Sequence, residues 1–333
     1  MRVGLLGLGR IGAFHAATLA GLADELVVSD VDRSRAEEVA ARFSTARFSR
    51  APFSATVGDP FDADAVVIAT PTSTHAQALE RACELGVPAF CEKPAAPTVE
   101  ETLRVAETVE RTGAVVHIGF QRRFDAGYLA ARDALRSGDL GVLHRVHLIT
   151  ADPAPPPAGY IPSSGGIFRD CHIHDFDILR WVTGREVDTV YATGANRGEE
   201  FFAEAGDVDT SAAILTMDDG TLATLQGSRY NGAGYDVRME LAGTRGAWAA
   251  GLGGRTPLRS AEGFAPDGDP WPDFQARFEE AYVAEMAAFL EAARGERESP
   301  CTVRDALAAL YVAEAADLSR RTDRPVRVVE VTK

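Results

Sequence analysis

Three observations predict an α/β domain followed by an α+β domain. Strand-like and helix-like segments alternate over residues 1–120. A glycine-rich turn, Gly7-Leu8-Gly9-Arg10-Ile11-Gly12, joins the first strand to the first helix. From residue 187 onward, four strand-like segments succeed one another with turns between them. Alternation of the first kind builds a doubly wound parallel sheet of Rossmann type, and strands joined by tight turns build a mostly antiparallel open sheet.

In order, residues 2–6 read as a short buried strand and 10–22 as an amphipathic helix, followed by a strand over 26–30 and a polar helix over 33–42. Residues 65–69 form a continuous apolar run of the type covered on both faces in a parallel sheet. A helix over 75–85 stops at Gly86, a strand covers 87–91, a helix over 98–112 stops at Gly113, and a strand covers 114–119. Glycine is the usual residue just past a helix end because it reaches the left-handed conformation without strain. The rhythm then changes to a helix over 124–137, a strand over 142–150, the proline-rich loop Asp152–Pro157 and a Gly165-Gly166 turn that opens a helix carrying Asp170 and His174. Strands are predicted at 187–195, 208–216, 221–230 and 236–242, and alanine-rich helices at 275–294 and 303–321; the Gly- and Pro-rich stretch 252–272 reads as a mobile loop. The expected organisation is a cofactor domain over 1–120 and a substrate-binding and oligomerisation domain over 121–333, whose closing helices can pack back on the first.

The chain has 333 residues, 46% of them hydrophobic, a formal charge of -15 and a pI near 4.9. Sequence-independent nucleic-acid binding needs clustered Lys and Arg, so neither nucleic acid nor anionic lipid is an expected partner. The four cysteines, Cys83, Cys91, Cys171 and Cys301, show no CxxC pair or metal-ligand spacing. Free thiols in a reducing cytoplasm are the expectation. The apolar N-terminus resembles an export signal only superficially, because Arg10 and His15 interrupt it and its glycines carry the turn spacing.

The GxGxxG turn gains meaning from its setting between a strand and a helix. Gly7 permits the tight turn, Gly9 allows backbone to approach a pyrophosphate, and Gly12 lets helix and strand pack closely, with Arg10 and Ile11 at the helix start facing the anion. Asp30 ends the second strand, where a carboxylate accepts from adenosine ribose hydroxyls and repels a 2′-phosphate. The expected cofactor is therefore NAD, with NADP less favoured; the competing role for Asp30 is to cap the next turn. The turn Thr70-Pro71-Thr72-Ser73-Thr74-His75 leaves the carboxyl end of a parallel strand, so Thr70, Pro71, Thr72 and His75 are expected to border the cofactor. Glu92-Lys93-Pro94 leaves the next strand into the same crevice, which adds Glu92 and Lys93.

The segment Gly165–Asp177 holds the densest chemistry: Asp170, His172, His174, Asp175 and Asp177 follow two glycines. Asp170 and His174 are four apart, so on one helix they share a face. A histidine oriented by a carboxylate moves protons near neutral pH. A metal site among Asp170, His172, His174 and Asp177 is the competing reading, but no second ligand cluster appears and it leaves Lys93 unexplained.

These four motifs, taken in this order, resemble the Gfo/Idh/MocA oxidoreductases over nearly the whole chain. The stretches 119–125 and 152–157 look most like the inositol 2-dehydrogenase branch. The resemblance implies three catalytic groups: His174 as general base, Asp170 orienting it, and Lys93 polarising the substrate oxygen as hydride passes to nicotinamide C4. It implies Arg122, Asp152, Asp177 and Tyr235 as groups binding the hydroxyls of a small polyol or sugar. Asp175 is expected on the helix surface or at a subunit contact. An aldose or rhizopine substrate, and a noncatalytic NAD sensor, are the alternatives. The family's use of its open sheet in assembly implies a homo-oligomer, dimer or tetramer.

Overall fold

The computed structural model describes residues 1–44 and 53–332. The chain divides into two units, Met1–Phe120 with Tyr282–Leu307, and Gln121–Ala281 with Ala308–Lys333.

The first unit contains β1 (Arg2–Leu6), α1 (Arg10–Ala20), β2 (Glu25–Ser29), α2 (Arg33–Ser44), β3 (Ser54–Val57), β4 (Ala65–Ile68), α3 (His75–Leu85), β5 (Ala89–Glu92), α4 (Val99–Thr112) and β6 (Val116–Gly119). The six strands are all parallel, in the order β3-β2-β1-β4-β5-β6. Every residue of β4, β5 and β6 is buried, which explains their unbroken apolar character. Strand order reverses between β1 and β4, and ligands of such sheets bind outside the carboxyl ends of the strands at that reversal. Helix ends follow the chemistry read from the sequence. Thr98 accepts from the backbone N–H of Glu101 to cap α4, and Gly86 and Gly113 end α3 and α4 in the left-handed region. The core joins Val3, Leu5, Leu19, Leu26, Val67 and Phe90 to Met286, Phe289 and Leu290 from late in the chain.

The second unit contains α5 (Ala126–Arg136), β7 (Leu143–Ala151), α6 (Ile161–Ser164), α7 (Ile167–Asp170), α8 (Ile173–Thr183), β8 (Val187–Ala195), α9 (Phe201–Glu204), β9 (Thr210–Met217), β10 (Leu222–Ser228), β11 (Asp236–Gly243), β12 (Ala247–Ala250) and α10 (Phe274–Arg277). Two long helices follow, α11 (Glu279–Ala293) and α12 (Val303–Thr322), and the short strand β13 (Val326–Arg327) joins the sheet of the second unit. That sheet runs β12-β11-β7-β10-β9-β8-β13 and is antiparallel except where β7 and β10 run parallel. Along β9 and β10 buried and open residues alternate, so one face is packed and the other is not.

The structure departs from the sequence expectation in several places. Strands β3, β12 and β13 were not predicted, being two to four residues long and without a clear alternation. The single helix predicted over 275–294 is two helices, parted at Phe278, which is 1% exposed. A short helix, α9, stands between the first two strands of the run expected to have none.

Candidate cofactor and substrate sites

In the first unit the three glycines of the loop each do what their spacing suggests. Gly7 has φ 91°, and a Cβ there would lie 2.7 Å from the carbonyl oxygen of Ala69 at the end of β4. A Cβ on Gly12 would lie 1.9 Å from the carbonyl oxygen of Gly7. Gly9, by contrast, faces open space, with nothing within 4 Å of such a Cβ. It is the N-cap of α1 and supplies no side-chain cap, so the N–H groups of the first turn are left for an outside acceptor. Two glycines close the loop and the third keeps its outer face clear, which is the cradle a pyrophosphate requires.

Asp30 has a double structural duty. Its Oδ2 accepts from the backbone N–H of Leu8 at 2.7 Å, within the glycine loop, and its Oδ1 accepts from Asp32 N–H at 2.9 Å. The turn-capping role weighed above is therefore present, alongside a brace to the loop. A carboxylate has about four lone-pair sites, so acceptance from a ribose remains chemically available.

Thr70, Pro71 and Thr72 lie on an open or half-open turn at the end of β4, tied by the hydroxyl of Thr74 to Thr70 Oγ1 at 2.7 Å and to the carbonyl of Pro71 at 2.9 Å. His75 and Glu92, expected to border the cofactor, are buried and engaged with the protein. His75 Nδ1 is 2.8 Å from the Pro94 carbonyl and its Nε2 2.8 Å from the Thr70 carbonyl. Glu92 Oε1 is 2.7 Å from His15 Nε2. Both side chains thus act on the loops, and Lys93, between Glu92 and Pro94, is half-exposed.

In the second unit Gly165 and Gly166, at φ 82° and 89°, make the turn into α7, and Asp207 Oδ1 accepts from Ile167 N–H at 3.0 Å to start it. The expected single helix is interrupted at Cys171-His172, so Asp170 closes α7 and His174 belongs to α8. The cause is His172. Its ring turns fully inward, with Nδ1 2.7 Å from Asp175 Oδ2 and Nε2 2.8 Å from Ser211 Oγ, in a space that exists because residue 227 is glycine. A Cβ on Gly227 would lie 2.2 Å from the ring.

Asp170 accepts from Tyr160 and Arg229. The Tyr160 hydroxyl donates to Oδ1 at 2.9 Å and Arg229 Nη2 donates to Oδ2 at 2.7 Å. Arg229 Nη1 also lies 3.4 Å from Asp152 Oδ2, and Cys171 Sγ is 3.8 Å from that oxygen. The parallel pairing of β7 with β10 produces this arrangement. Ala151 is in register with Ser228, so Asp152 and Arg229 leave adjacent strands side by side. Burial raises the Asp152 carboxyl above its ordinary range against the opposing charge of Arg229. Burial lowers the Arg229 guanidinium, but Cys171 and Asp170 leave it raised overall. Burial of its hydroxyl end, with Asp170 beside it, raises Tyr160, whose residue as a whole is 43% exposed. Tyr235, just ahead of β11, is 6% exposed and raised by burial.

Two expectations for this segment need correction. Asp177 was read as a hydroxyl-binding group, yet it is 1% exposed, with Oδ2 2.8 Å from Arg123 Nε and Oδ1 2.5 Å from Arg123 Nη2. Its lone pairs go to an interior ion pair. Asp175 is expected on the helix surface or at a subunit contact, yet it is also 1% exposed and joins Arg122, Thr150 and His172 in a buried network. Burial raises its carboxyl, and the Arg122 guanidinium reverses this and holds it below the ordinary value. Arg122 itself is 2% exposed and is occupied by Asp175 at 2.5 Å and Thr150 at 3.1 Å. The sequence reading missed Arg229 and Tyr160; a lone Arg after a strand and a Tyr after prolines carry no spacing signal. Among the described residues, no group of three or more His, Cys, Asp or Glu is arranged to hold a metal. Nor is any described helix long and apolar enough to cross a membrane.

Comparison with known proteins identifies the family of both halves of the chain. Residues 1–120 match the model of an oxidoreductase family with an NAD-binding Rossmann fold, and residues 128–249 match the GFO/IDH/MocA C-terminal domain. The inositol 2-dehydrogenase of Rhizobium meliloti is 38% identical, over 98% of this chain and 99% of its own. A crystal structure of a myo-inositol dehydrogenase from Corynebacterium glutamicum superposes with a TM-score of 0.86 at 35% identity, covering 98% of both chains. The scyllo-inositol dehydrogenase of Lactobacillus casei, crystallised with NAD(H) and scyllo-inositol, gives 0.85 at 28% identity over 99% of both chains. With the glycine cradle of its first unit and the open seven-stranded sheet of its second, this chain belongs to the Gfo/Idh/MocA family of oxidoreductases and carries that family's NAD-binding Rossmann domain.

Proposed function

We propose that this enzyme oxidises one secondary hydroxyl of a cyclic polyol to a ketone, as an inositol 2-dehydrogenase does, with NAD as acceptor. The observation that carries the reading is the Asp152–Arg229–Asp170 array, in which the buried guanidinium just after β10 links Asp152, just after β7, to Asp170, the last residue of α7. Carboxylates and guanidinium groups suit vicinal hydroxyls because they accept and donate in pairs. The named activities of the relatives support the same substrate class.

Gly7, Gly9, Arg10, Ile11, Gly12 and Asp30 would hold the dinucleotide, with Thr70, Pro71 and Thr72 bordering it. When bound, NAD supplies the acceptor for the hydrogen leaving the carbinol carbon with its electron pair. His174 removes the hydroxyl proton, and Asp170, fixed by Tyr160 and Arg229, orients and stabilises the charged imidazole. Lys93 donates to the substrate oxygen as it becomes a carbonyl. Asp152 and Tyr235 meet the remaining hydroxyls. The open face of the second unit's sheet, which includes Tyr191, Ile214 and Leu222 at 37–53% exposed, serves self-association in this reading.

The test is NADH formation at 340 nm against myo-, scyllo- and D-chiro-inositol, glucose, xylose and galactose, with NAD and NADP run separately. Turnover of an inositol with NAD is expected. Turnover of aldoses alone would overturn the substrate class, and NADH binding without turnover of any member would favour a noncatalytic role. Lys93→Ala and His174→Ala are each expected to abolish turnover while NADH still binds. Light scattering on the purified chain is expected to give a dimer or tetramer.

A further inference from the structure

Lys93 is the only lysine in the sequence besides Lys333, in a chain whose other basic side chains are arginine and histidine. Position 93 carries an ammonium on a flexible stem in a chain whose cationic side chains are almost all arginine. Such a group is useful in chemistry only if the backbone beneath it is held still, because a four-carbon stem adds its own freedom.

Both neighbours of Lys93 are fixed by buried imidazoles. On one side, the Glu92 carboxylate meets His15 Nε2 at 2.7 Å, with the imidazole 0% and the carboxylate side chain 12% exposed. His15 belongs to α1, the helix that leaves the glycine loop, and its ring packs edge-on against Phe90 and Tyr282 with centroids 5.4 and 5.9 Å away. On the other side, the Pro94 carbonyl meets His75 Nδ1 at 2.8 Å, while Nε2 of the same ring meets the Thr70 carbonyl at 2.8 Å. His75 opens α3 and is 1% exposed. The strand ladder of β5 ends at Glu92, paired with Gly119, so Lys93 lies beyond the sheet's own hydrogen bonds.

We infer that His15 and His75 are positioning residues that clamp Lys93 from both sides and tie its loop to the glycine loop's helix and to the Thr70–Thr74 turn. The inference rests on the role proposed above for Lys93. Neither histidine touches substrate in this account; each acts through the residue next to Lys93.

The near-absence of other lysines makes the clamp directly observable. Reductive ¹³C-methylation of the full-length protein labels Lys93, Lys333 and the chain's α-amine, and Lys93→Arg assigns the first. In the parent, the Lys93 dimethylamine signal should stand apart from that of Lys333 and move on adding NADH. In His15→Ala and His75→Ala it should shift toward the Lys333 position. In the unlabelled variants kcat should fall by about 10–100-fold, with the Kd for NADH changed by no more than about 3-fold. His15→Gln and His75→Gln, which keep one donor, should restore part of both, and they replace any alanine variant that fails to fold. Parent-like Lys93 signals and parent-like kcat in folded variants of both histidines would overturn the clamp. Full turnover by Lys93→Ala would instead overturn the proposed role of Lys93, while the methyl signals would still decide whether the two histidines hold it.

Discussion

Arg229 donates to Asp170 at 2.7 Å while its other terminal nitrogen lies 3.4 Å from Asp152, so one guanidinium spans two acids from different parts of the chain. Without it the two carboxylates would repel each other and Asp170 would lose an anchoring donor. Arg229→Ala is expected to lower kcat by about 10²-fold, the order associated with an ångström of misplacement. NADH affinity should be unchanged, since Arg229 is not among the residues proposed to hold the dinucleotide. Arg229→Lys should recover part of the loss, because a point charge satisfies one carboxylate better than two. Steady-state kinetics with NADH fluorescence titration checks all three expectations, and parent-like kcat in Arg229→Ala would remove Arg229 from the site.

Gly227 is small because His172 is there. Gly227→Ala places a methyl group 2.2 Å from the ring's Cε1 and 2.3 Å from Nε2, so the ring must leave Ser211 or β10 must move. Overpacking of this kind costs about 1–3 kcal/mol, and the lost interior hydrogen bonds add to it. Urea denaturation should show a lowered midpoint at unchanged slope.

The buried pair of Arg122 and Asp175 gives a stability prediction with a pH signature. Asp175→Asn leaves a buried guanidinium without its counter-charge and should destabilise the fold by about 3–5 kcal/mol. Because the folded carboxyl is held below its ordinary value, its contribution is complete above the unfolded-state pKa of about 3.9 and is lost as pH falls through the lower folded value. The melting-temperature gap between parent and variant should therefore stay level from neutral pH down to about 5 and narrow only on further acidification. A gap that narrows near pH 7 would assign the effect to another group.

Asp30 braces Leu8 and is proposed to meet the ribose, so its removal should be felt twice. Asp30→Ala is expected to weaken NAD by about 10-fold, the cost of a charged hydrogen bond, and NADP by less. Equal losses for both cofactors would leave only the loop-bracing role.

Much of this molecule was legible from residue order alone, for identifiable reasons. The parallel sheet announces itself because buried strands such as Ala65–Ile68 must be apolar on both faces, and α3 and α4 because Gly86 and Gly113 mark where they stop. The glycine loop is legible because each of its three glycines answers a separate steric demand. What stayed hidden depends on tertiary pairing. Sequence spacing cannot reveal that Asp177 faces Arg123, 54 positions away, or that Asp175 turns inward toward Arg122. Periodicity put Asp170 and His174 on one helix but could not foresee that His172, drawn into the interior, would divide it. Arg229 escaped notice for the same reason, since its partners are assembled by a strand pairing the local sequence does not encode.

That pairing also bears on how the protein acquires its activity. Strands β7 and β10 are parallel neighbours joined only through most of the second unit, and Asp152 and Arg229 are 77 residues apart in the chain. Closing so long a loop is entropically late and slow, whereas hairpins such as β9–β10 form from nearby residues. The acid–guanidinium array can exist only after this long-range pairing of its sheet has formed. Recovery of turnover during refolding should consequently trail the recovery of strand and helix signal, and a nascent or partly unfolded chain should be silent as an enzyme while already rich in secondary structure.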